Sequence, residues 1–475
     1  MILLLLAVAQ TLDLGSRREL FVDAYLVDRL EGARLHLHEP RDEGPVLKFD
    51  KPWEGPFSAY VTVVRDGPRL RAYYRGRATR GADGEKDEIT CVAESDDGRS
   101  WTKPALGLFE VAGSRETNVV LAGQAPFSHN FSPFIDRKPG VPQDQRWKAL
   151  AGIDGSGLRA FVSADGLRWR PLREAPVLAK AQVPFPYMFD SQNVAFWSES
   201  ERRYACYFRV FKDKLRRICR STSEDFLAWS APELMEYVGA DGKPAPIDQL
   251  YTNQTAPYFR APHLYVATAA RFMEGRQVLS EPEARALGVD PLYFKDASDA
   301  VLLTSRGGAR YDRIFLESFI RPGIGARNWV SRTNYPALNV IQTGETEMSV
   351  FVNQDYAQAT AHLRRYSLRL DGFSSIRAPF GGGEFLTKPF TFDGRRLHLN
   401  FATSAAGSIR VAIQDPDGRP YPGFAVADSV ESIGNEIERP ARWKSGADVS
   451  GLAGKPVRLR VVMKDADLYA IRFGE

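Results

Sequence analysis

Ser163-Ala164-Asp165-Gly166-Leu167-Arg168-Trp169 is the stretch of sequence that decides the fold, because the chain repeats it. The same pattern stands at residues 95–101, returns at residues 223–229 with Phe226 in place of glycine, and occurs in a degenerate form at residues 305–311. Successive copies begin 68, 60 and 82 residues apart. Such recurrence is typical of propellers and solenoids, although a propeller blade usually takes about 40–50 residues. The longer spacing predicts long loops on a β scaffold, where binding and catalysis concentrate.

The repeated pattern reads as a tight turn. Serine and aspartate side chains accept hydrogen bonds from nearby backbone N–H groups, and glycine relieves the strained position. The aromatic residue three positions later can fold back under the turn and fill the space between neighbouring sheets. Each copy follows a short β-rich run, such as residues 89–93 and 158–162. The pattern therefore predicts a hairpin turn on the outer side of each blade.

Composition narrows the class of protein. The 475 residues suffice for two domains, and the net charge of +4 comes from interspersed charges without a long basic run. No nucleic-acid partner is expected. Cys91, Cys206 and Cys219 are too few and too scattered for a disulfide framework, although Cys206 and Cys219 could face each other across a hairpin.

The first ten residues form an apolar run that ends in Ala7-Val8-Ala9 and resembles a secretory signal peptide. We predict that residues 1–9 are a signal peptide and that the protein is secreted or periplasmic. A misassigned start or a buried first strand is the alternative. No other segment approaches about 20 apolar residues, so no membrane span is expected.

Short runs rich in Val, Tyr and Phe, separated by Gly, Pro and Asp, indicate strands throughout the chain. We predict an all-β protein, with a five-bladed β-propeller over residues 19–374 and a C-terminal β-sandwich over residues 375–475. Residues 20–27 are expected to pair with the last blade and close the ring. One helix is predicted at residues 281–287, as an insertion in the fourth blade. The five inner strands are expected to start near Trp53, His129, Asp190, Asn253 and Glu347.

The turn at residues 223–229 resembles the Ser-x-Asp-x-x-x-Trp pattern of five-bladed propeller glycoside hydrolases of the invertase and arabinanase type, families 32 and 43. Invertase-like members also carry a C-terminal β-sandwich. The resemblance implies a carbohydrate substrate. The family's Asn-Asp-Pro, Arg-Asp-Pro and Glu-Cys-Pro motifs are absent, and the chain has Phe131-Ser132-Pro133 and Asp190-Ser191-Gln192-Asn193 in the corresponding regions. The chain thus resembles a divergent relative, and no catalytic residue is carried over from the family.

Glycoside hydrolysis needs two carboxyl groups that face one bond. The starts of the inner strands meet at one mouth of a propeller, so the catalytic candidates are Asp190, Glu347 and Glu54. Asp190 opens a polar cluster before an apolar strand. Glu347 enters an apolar strand, where burial would raise its pKa and suit a general acid. Each has a structural alternative: an Asx turn, an ion pair with arginine, and a solvated turn, respectively.

The candidates for substrate binding surround the same strand starts. Trp53 could stack on a sugar ring, and Arg271 could bind a carboxylate or sulfate. The neutral hydrogen-bonding candidates, which could instead cap turns, are His129, Asn130, Gln192, Asn193, Asn253 and Gln254. His36 and His38 lack a third ligand, so no metal is predicted. The sequence has no phosphate-binding loop, and no cofactor is expected.

These observations predict a secreted glycoside hydrolase that acts on an oligo- or polysaccharide, and they leave the sugar and the oligomeric state open. One alternative is a non-catalytic carbohydrate-binding propeller, which needs aromatic and amide groups but no paired carboxylates. Another is a sialidase-type enzyme, because the turn pattern also resembles the Asp-box. That alternative requires a triad of arginines converging beneath a channel tyrosine.

Overall fold

The structure, a computed structural model, describes residues 11–475, so the predicted signal peptide lies outside the described residues. The chain divides into two compact units. One comprises residues 39–368, and the other joins the N-terminal residues up to 38 to residues 369–475. Strands dominate both units, as expected.

Five antiparallel sheets follow one another along residues 39–368 and form five blades. Blade 1 has the strands Ala59–Asp66, Arg69–Gly76, Ile89–Ser95 and Val119–Leu121. Blade 2 has Ser132–Ile135, Trp147–Ala151, Arg159–Ser163 and Arg170–Pro171. Blade 3 has Val194–Ser198, Arg203–Lys212, Leu215–Ser223 and Glu233–Leu234. Blade 4 has Leu250–Thr252, Thr255–Tyr258, Ala261–Met273, Ala297–Ser305, Arg310–Asp312 and Glu236–Val238. Blade 5 has Tyr335–Pro336, Ile341–Gln342, Glu347–Gln354, His362–Arg369 and Arg41–Lys48. The predicted all-β, five-bladed propeller is confirmed.

The ring closes through a different strand from the one predicted. Arg41–Lys48 pairs with His362–Arg369 and supplies the outer strand of blade 5. Residues 20–27 do not do so, because Arg18–Leu20 pairs with Arg458–Gly474 in the other unit. Packing explains the choice: Leu47 is buried in the core that blades 1 and 5 share, whereas Phe21 is buried in the core of the other unit.

The inner strand of blade 5 also differs from the prediction. Leu338 exchanges backbone hydrogen bonds with Val61 and Val63 of the innermost strand of blade 1, so residues 335–342 form the inner edge of blade 5. The strand that begins at Glu347 is therefore the second strand of its blade. Pro336, and Asn339 with a φ of +78°, interrupt the inner strand and hide its period-two pattern.

The repeated turns have the predicted bonding. Ser163 Oγ accepts a hydrogen bond from the Gly166 N–H at 2.9 Å, and Asp165 Oδ1 accepts from the N–H groups of Leu167 and Arg168, both at 2.8 Å. The same serine and aspartate bonds recur at residues 95–100 and 223–228. These bonds to backbone N–H groups account for the recurrence of serine and aspartate in the pattern.

The turns also tie neighbouring blades together, as predicted. Tyr73 of blade 1 donates a hydrogen bond from its hydroxyl to the Gly166 carbonyl at 2.9 Å. Trp169, which ends the same turn, packs edge-on against Tyr73 with ring centroids 6.4 Å apart. In the third copy Phe226 adopts a φ of +67° without glycine, and its ring is fully buried beside Trp229.

The second unit contains an eight-stranded sheet and a small parallel sheet of Leu12–Asp13 with Phe390–Thr391. Its longest strands, Arg396–Gln414 and Arg458–Gly474, pair antiparallel with a shift in register between Thr403 and Ser408. Apolar side chains on both sides of that shift, such as Leu399 and Val411, belong to one buried core. The other strands of this unit are Leu12–Asp13, Arg18–Leu20, Val27–Glu31, Arg34–Leu37, Ser374–Ala378, Gly383–Thr387, Phe390–Thr391 and Asn435–Pro440.

The predicted helix, and the prediction that the three cysteines form no disulfide framework, also agree with the structure. The helix Glu281–Ala286 lies in the insertion of blade 4, with Ser280 as its N-cap. Short 3-10 turns occupy Gln143–Gln145, Lys180–Gln182, Ala326–Asn328 and Ser450–Leu452. Cys91, Cys206 and Cys219 are buried and free. Among the described residues, no helix has the length and apolarity needed to cross a membrane.

Candidate functional site

The loops that lead into the inner strands meet at one end of the propeller, which we call the mouth. Contacts across this end join blades that are distant in sequence. The Tyr60 hydroxyl of blade 1 donates to the Asp190 carbonyl before blade 3 at 3.3 Å, and Arg75 donates to the Tyr356 hydroxyl of blade 5 at 3.2 Å. These contacts bring residues of blades 1 and 5 close to Asp190, which was predicted as a site candidate.

Two predicted substrate-binding amides close the channel below the mouth. Gln192 donates to Thr62 Oγ1 at 3.1 Å and accepts a hydrogen bond from Gln254. Gln254 also donates to the Pro336 carbonyl at 2.7 Å. Both glutamines are buried, and their bonds link blades 1, 3, 4 and 5. They form the floor of the mouth.

Two other predicted binding residues position Asp190 through its flanking backbone. Asn130 Nδ2 donates to the carbonyls of Phe189 at 2.6 Å and Ser191 at 2.8 Å. Asn193 Nδ2 donates to the Phe189 carbonyl at 3.1 Å. Phe189 is held at a φ of +67°, a strained value for a residue with a side chain. Both asparagines are fully buried, so the clamp fixes the loop on either side of Asp190.

Asp190 lies at the mouth. Its side chain is 30% exposed, and its carboxylate forms an ion pair with the buried Arg209. Arg209 also donates to the Tyr251 carbonyl at 3.3 Å. Burial acts to lower the pKa of Arg209. The charge of Asp190 and the neighbouring tyrosines raise it by more, so the pKa lies above its ordinary value.

Asp83 is a second carboxylate at the mouth, and the sequence did not identify it. It lies in the loop between Arg69–Gly76 and Ile89–Ser95, and its side chain is 46% exposed. Burial acts to raise its pKa, but the positive charges of His129, Arg75, Arg332 and Arg209 lower it overall. Asp83 and Asp190 therefore both interact electrostatically with the guanidinium of Arg209.

Arg77 holds the Asp83 loop in place from within. Its buried guanidinium donates to the carbonyls of Thr79 at 3.0 Å and Ala82 at 2.8 Å. It also pairs with Glu85 at 2.6 Å and Glu88 at 2.7 Å. The loop is thus built around one cation rather than packed on apolar side chains.

His129, predicted as a hydrogen-bonding residue or proton carrier, lies buried beside this loop. Its Nδ1 is 2.9 Å from Glu88 Oε1, and its Nε2 is 3.8 Å from Asp83 Oδ1. Nε2 has no hydrogen-bond partner within residues 11–475. Burial acts to raise the pKa of Glu88, but the hydrogen bond and charge of His129, with the charges of Arg75 and Arg77, lower it. His129 Nδ1 thus lies between Glu88 and the Arg75 guanidinium, which is 3.1 Å away, while Nε2 faces Asp83.

Tyr251 lies between three arginines. The guanidinium carbons of Arg209, Arg216 and Arg332 are 4.2, 5.3 and 5.8 Å from the centre of its ring. Burial acts to raise the pKa of Tyr251, but the charges of Arg332 and Arg209 lower it below the ordinary value. Arg332 is held at a φ of +60°. A non-glycine residue at such a φ is typical of functional sites that store strain.

Aromatic side chains line the mouth. Tyr293 and Tyr356 pack edge-on with centroids 5.5 Å apart, and Phe57 packs on Tyr356 at 5.7 Å. Tyr187, three residues before Asp190, is 69% exposed and packs edge-on against Phe211. Phe57, Tyr293 and Tyr356 are buried, so Tyr187 is the one of these four whose exposed face can stack on a sugar ring.

The structure does not bring Glu54 to Asp190. Glu54 is fully buried, where it accepts hydrogen bonds from the Tyr74 hydroxyl at 2.6 Å and from Lys103 at 2.5 Å. The adjacent Trp53 donates from Nε1 to Asn118 Oδ1 at 2.8 Å. These partners all belong to blade 1 and its connections, so both residues lie within that blade.

Glu347 is also saturated by protein groups. It accepts hydrogen bonds from Thr343 at 2.9 Å, Arg99 at 3.1 Å and Arg365 at 2.8 Å. Burial acts to raise its pKa, but these three bonds lower it overall. The expected raised pKa is therefore wrong, because the strand start is lined with cations rather than apolar groups.

The remaining predicted binding residues have protein partners as well. Arg271 forms a two-point ion pair with Asp299 at 2.9 and 2.6 Å, which raises its pKa. Asn253 Oδ1 accepts a hydrogen bond from the Thr255 N–H at 3.0 Å, as a turn cap does. No group of three or more His, Cys, Asp or Glu side chains suited to a metal ion occurs within residues 11–475.

Comparison with known proteins gives similarity only at the level of solved structures. No family model matches the chain. No curated protein matches it either. An N-acetylgalactosamine deacetylase from F. plautii, in complex with blood group B trisaccharide, is 13% identical with a TM-score of 0.45 and covers 71% of this chain and 96% of its own.

Two further structures show comparable similarity. A GH62 α-L-arabinofuranosidase catalytic domain from Coprinopsis cinerea is 10% identical with a TM-score of 0.43, and covers 70% of this chain and 97% of its own. A fructofuranosidase from Schwanniomyces occidentalis, complexed with fructosylnystose, is 10% identical with a TM-score of 0.38. The match covers 92% of this chain and 98% of the fructofuranosidase. At these identities, we infer activity only from this chain's own residues.

Proposed function

We propose that this protein is a glycoside hydrolase that cleaves an oligo- or polysaccharide with Asp190 and Asp83 as its paired carboxyl groups. One observation carries the proposal: two partly exposed carboxylates lie at the same mouth, linked through His129 and Tyr60. Asp83 is 3.8 Å from His129 Nε2, the His129 and Tyr60 rings pack with centroids 5.5 Å apart, and the Tyr60 hydroxyl donates to the Asp190 carbonyl. The hydrogen-bonded floor and the exposed ring of Tyr187 suit a sugar. Two carboxyl groups facing one bond are what most glycosidases require.

The surroundings of the two carboxylates support different roles. Asp190 is held by the Asn130 clamp and its charge is stabilised by Arg209, which suits a nucleophile or a base that activates water. Asp83 is more exposed and faces His129 Nε2 at 3.8 Å, which suits a group that exchanges protons. A sugar that covers Asp83 would add to the burial that already acts to raise its pKa.

The test is hydrolysis by the full chain of a panel of aryl glycosides and of plant and algal polysaccharides. We expect Asp190→Asn and Asp83→Asn each to lower the rate on the cleaved substrate by about 10²–10⁴-fold, the usual effect of losing an acid–base group. Asp96→Asn, at an exposed position in a repeated turn, is the matched control and should keep full activity.

Two results would contradict the proposal. Hydrolysis that both Asp190→Asn and Asp83→Asn retain would remove these residues from the mechanism. Glycan binding without turnover of any substrate, unchanged by both substitutions, would favour the non-catalytic carbohydrate-binding propeller instead.

A sialidase-type mechanism is a second candidate, because the arginines around Tyr251 resemble the triad that it requires. In that mechanism Tyr251 is the nucleophile, and its lowered pKa favours this role. Tyr251→Phe distinguishes the two: it should abolish turnover if the hydroxyl attacks the sugar. If Asp190 attacks or activates water, most of the activity should remain.

We also propose that the protein is exported, on the basis of the apolar run that ends in Ala7-Val8-Ala9. Expression of the full chain in a secreting host, followed by N-terminal sequencing of the periplasmic or extracellular product, tests this. A new N-terminus near Gln10 is expected. An uncleaved product confined to the cytoplasm would contradict it.

A further inference from the structure

The mouth holds more guanidinium groups than it pairs with carboxylates. Of the three arginines around Tyr251, Arg209 has Asp190 as its partner. Arg216 donates to Gln249 Oε1 at 2.9 Å, and Arg332 donates to the Tyr293 hydroxyl at 3.3 Å. Within residues 11–475, neither Arg216 nor Arg332 has a carboxylate within 4.0 Å.

Hydrogen-bond donors around these arginines also lack partners. The Nε atoms of Arg209 and Arg216 are buried and make no hydrogen bond within the described chain. The Tyr251 hydroxyl likewise makes no hydrogen bond to a described residue. Removing a cation and its donors from water without a partner is unfavourable. The pattern is that of a site prepared for an anion.

Asp83 does not satisfy Arg332. The charge of Arg332 lowers the pKa of Asp83, so the two groups influence each other. Within residues 11–475, the one basic side-chain nitrogen within 4.0 Å of the Asp83 carboxylate is His129 Nε2, at 3.8 Å. The strained φ of Arg332 nevertheless holds its side chain against Tyr251 and Tyr293, at 5.8 and 4.8 Å from the ring centres.

We propose that the sugar residue bound at the mouth carries an anionic substituent, a carboxylate or a sulfate, that pairs with Arg332. The Tyr251 hydroxyl is a further donor to it, and Arg216 adds to the local positive potential. This inference rests on the proposed function for its carbohydrate, and it names the class of carbohydrate. Guanidinium groups suit this role because their paired N–H donors match the oxygens of carboxylate and sulfate.

The experiment measures binding to the full chain by calorimetry with matched oligosaccharides. The set comprises uronic-acid disaccharides, their neutral counterparts reduced at the carboxyl group, and neutral disaccharides carrying one sulfate. We expect the carboxylated or the sulfated members to bind at least about 10-fold more tightly than the neutral ones, as for a hydrogen bond between charged groups. The preferred anion identifies the substituent. Its advantage should shrink as salt rises from about 20 to 300 mM, because salt screens a pair that is partly exposed to solvent.

Substitutions then assign the preference to Arg332. Arg332→Gln should weaken binding of the preferred anionic member by about 10–100-fold and leave the neutral member unchanged, whereas Arg332→Lys should recover part of the loss. Arg276→Gln removes an exposed arginine from the blade 4 insertion and should change neither. The comparison of ligands on the unsubstituted chain needs no variant, so it decides the matter even if Arg332→Gln fails to fold.

The possible failures are distinguishable. Equal binding of neutral and anionic members would overturn the inference, and hydrolysis of a neutral glycan that depends on Asp190 would still uphold the proposed function. Conversely, tight anionic binding that depends on Arg332, without cleavage of any glycan, would uphold the anion site and overturn the hydrolase. An anionic preference that survives Arg332→Gln in a folded variant would also overturn the assignment to Arg332.

Discussion

The two ends of the propeller treat their charged side chains in opposite ways. At the end with the repeated turns, Asp165 and Glu347 are saturated by local groups: Asp165 Oδ1 accepts two backbone N–H groups, and Glu347 accepts three side-chain donors. At the mouth, Asp83 and Asp190 remain partly exposed, and Arg332 lacks a carboxylate partner among the described residues. Charged side chains that protein groups pair fully stabilise the fold, whereas those left partly unpaired are available to bind a ligand.

Glu54 and Asp190 sharpen this comparison because both precede an inner strand in sequence. Glu54 is buried and bonded to Lys103 and Tyr74. Glu54→Ala would leave the Lys103 ammonium, itself largely buried, without its closest carboxylate. We expect a loss of about 3–5 kcal/mol in the free energy of unfolding. Urea denaturation measures it, and a loss below about 1 kcal/mol would show that Glu54 is not structural.

Asn130 belongs to both sides of this comparison, because it is buried like Glu54 and holds the loop that carries Asp190. Asn130→Ala removes three backbone contacts, to Gly152, Phe189 and Ser191. We expect a stability loss of about 1–3 kcal/mol from the unsatisfied carbonyls. If the clamp positions Asp190, kcat should fall while KM changes little. Asn130→Asp, which keeps the shape but loses the donors, should behave alike. An unchanged kcat in a destabilised but folded variant would make the clamp purely structural.

The carboxylates at the end with the repeated turns should also determine how the free energy of unfolding changes at acidic pH. The pKa of Asp165 is lowered because backbone and side-chain hydrogen bonds outweigh burial, and the pKa of Glu347 is lowered for a similar reason. A lowered folded-state pKa contributes stability that is present above the unfolded-state values, about 3.9 for Asp and 4.3 for Glu. That stability is lost as the pH falls through the folded-state values.

Unfolding free energy should therefore decline below about pH 5, and urea denaturation between pH 3 and pH 7 measures the decline. Asp165→Asn should flatten it by removing one of the protons taken up on unfolding. An identical pH profile for the variant would show that this turn does not contribute. The exposed Asp96→Asn should leave the profile unchanged.

The smallest effect on stability is expected for Arg99→Ala, because Glu347 keeps its other hydrogen-bond partners. Arg99→Ala removes one donor from Glu347, but Thr343 and Arg365 remain. Arg99 is half exposed, so we expect a stability loss below about 1 kcal/mol and no change in hydrolysis. A thermal melt with an activity assay checks both. A loss of activity would place a functional group at the end with the repeated turns.

Much of the propeller could be predicted because its signals are local. Ser163, Asp165 and Trp169 bond within one turn, so the pattern repeats wherever a blade turns. Ring closure is a long-range choice: residues 20–27 read as a strand, whereas residues 41–48, with Gly44 and Pro45, do not. Only the burial of Phe21 and Leu47 in different cores decides between them.

The candidate site was predictable only in part, for a related reason. Asp190 is recognisable as a polar residue that opens an apolar strand. Asp83 lies in a loop with charges of both signs, which reads as a solvated loop until Arg77 is seen to organise it. Arg209 is fully buried in the middle of the strand Arg203–Lys212, and that arginine among apolar residues was the available signal.

The central claim is that the carboxylates of the mouth serve function and those elsewhere serve stability. The most direct measurement determines both the free energy of unfolding and the hydrolysis rate for Asp190→Asn, Asp83→Asn, Glu54→Gln and Glu347→Gln. We predict that the first two abolish hydrolysis, and that the last two lose stability but retain hydrolysis when folded. Asp83→Asn should change stability by less than about 1 kcal/mol, whereas Asp190→Asn should also destabilise the protein, because the buried Arg209 loses its carboxylate partner. The reverse pattern, with hydrolysis lost through Glu54 or Glu347 in a stable protein, would contradict the account.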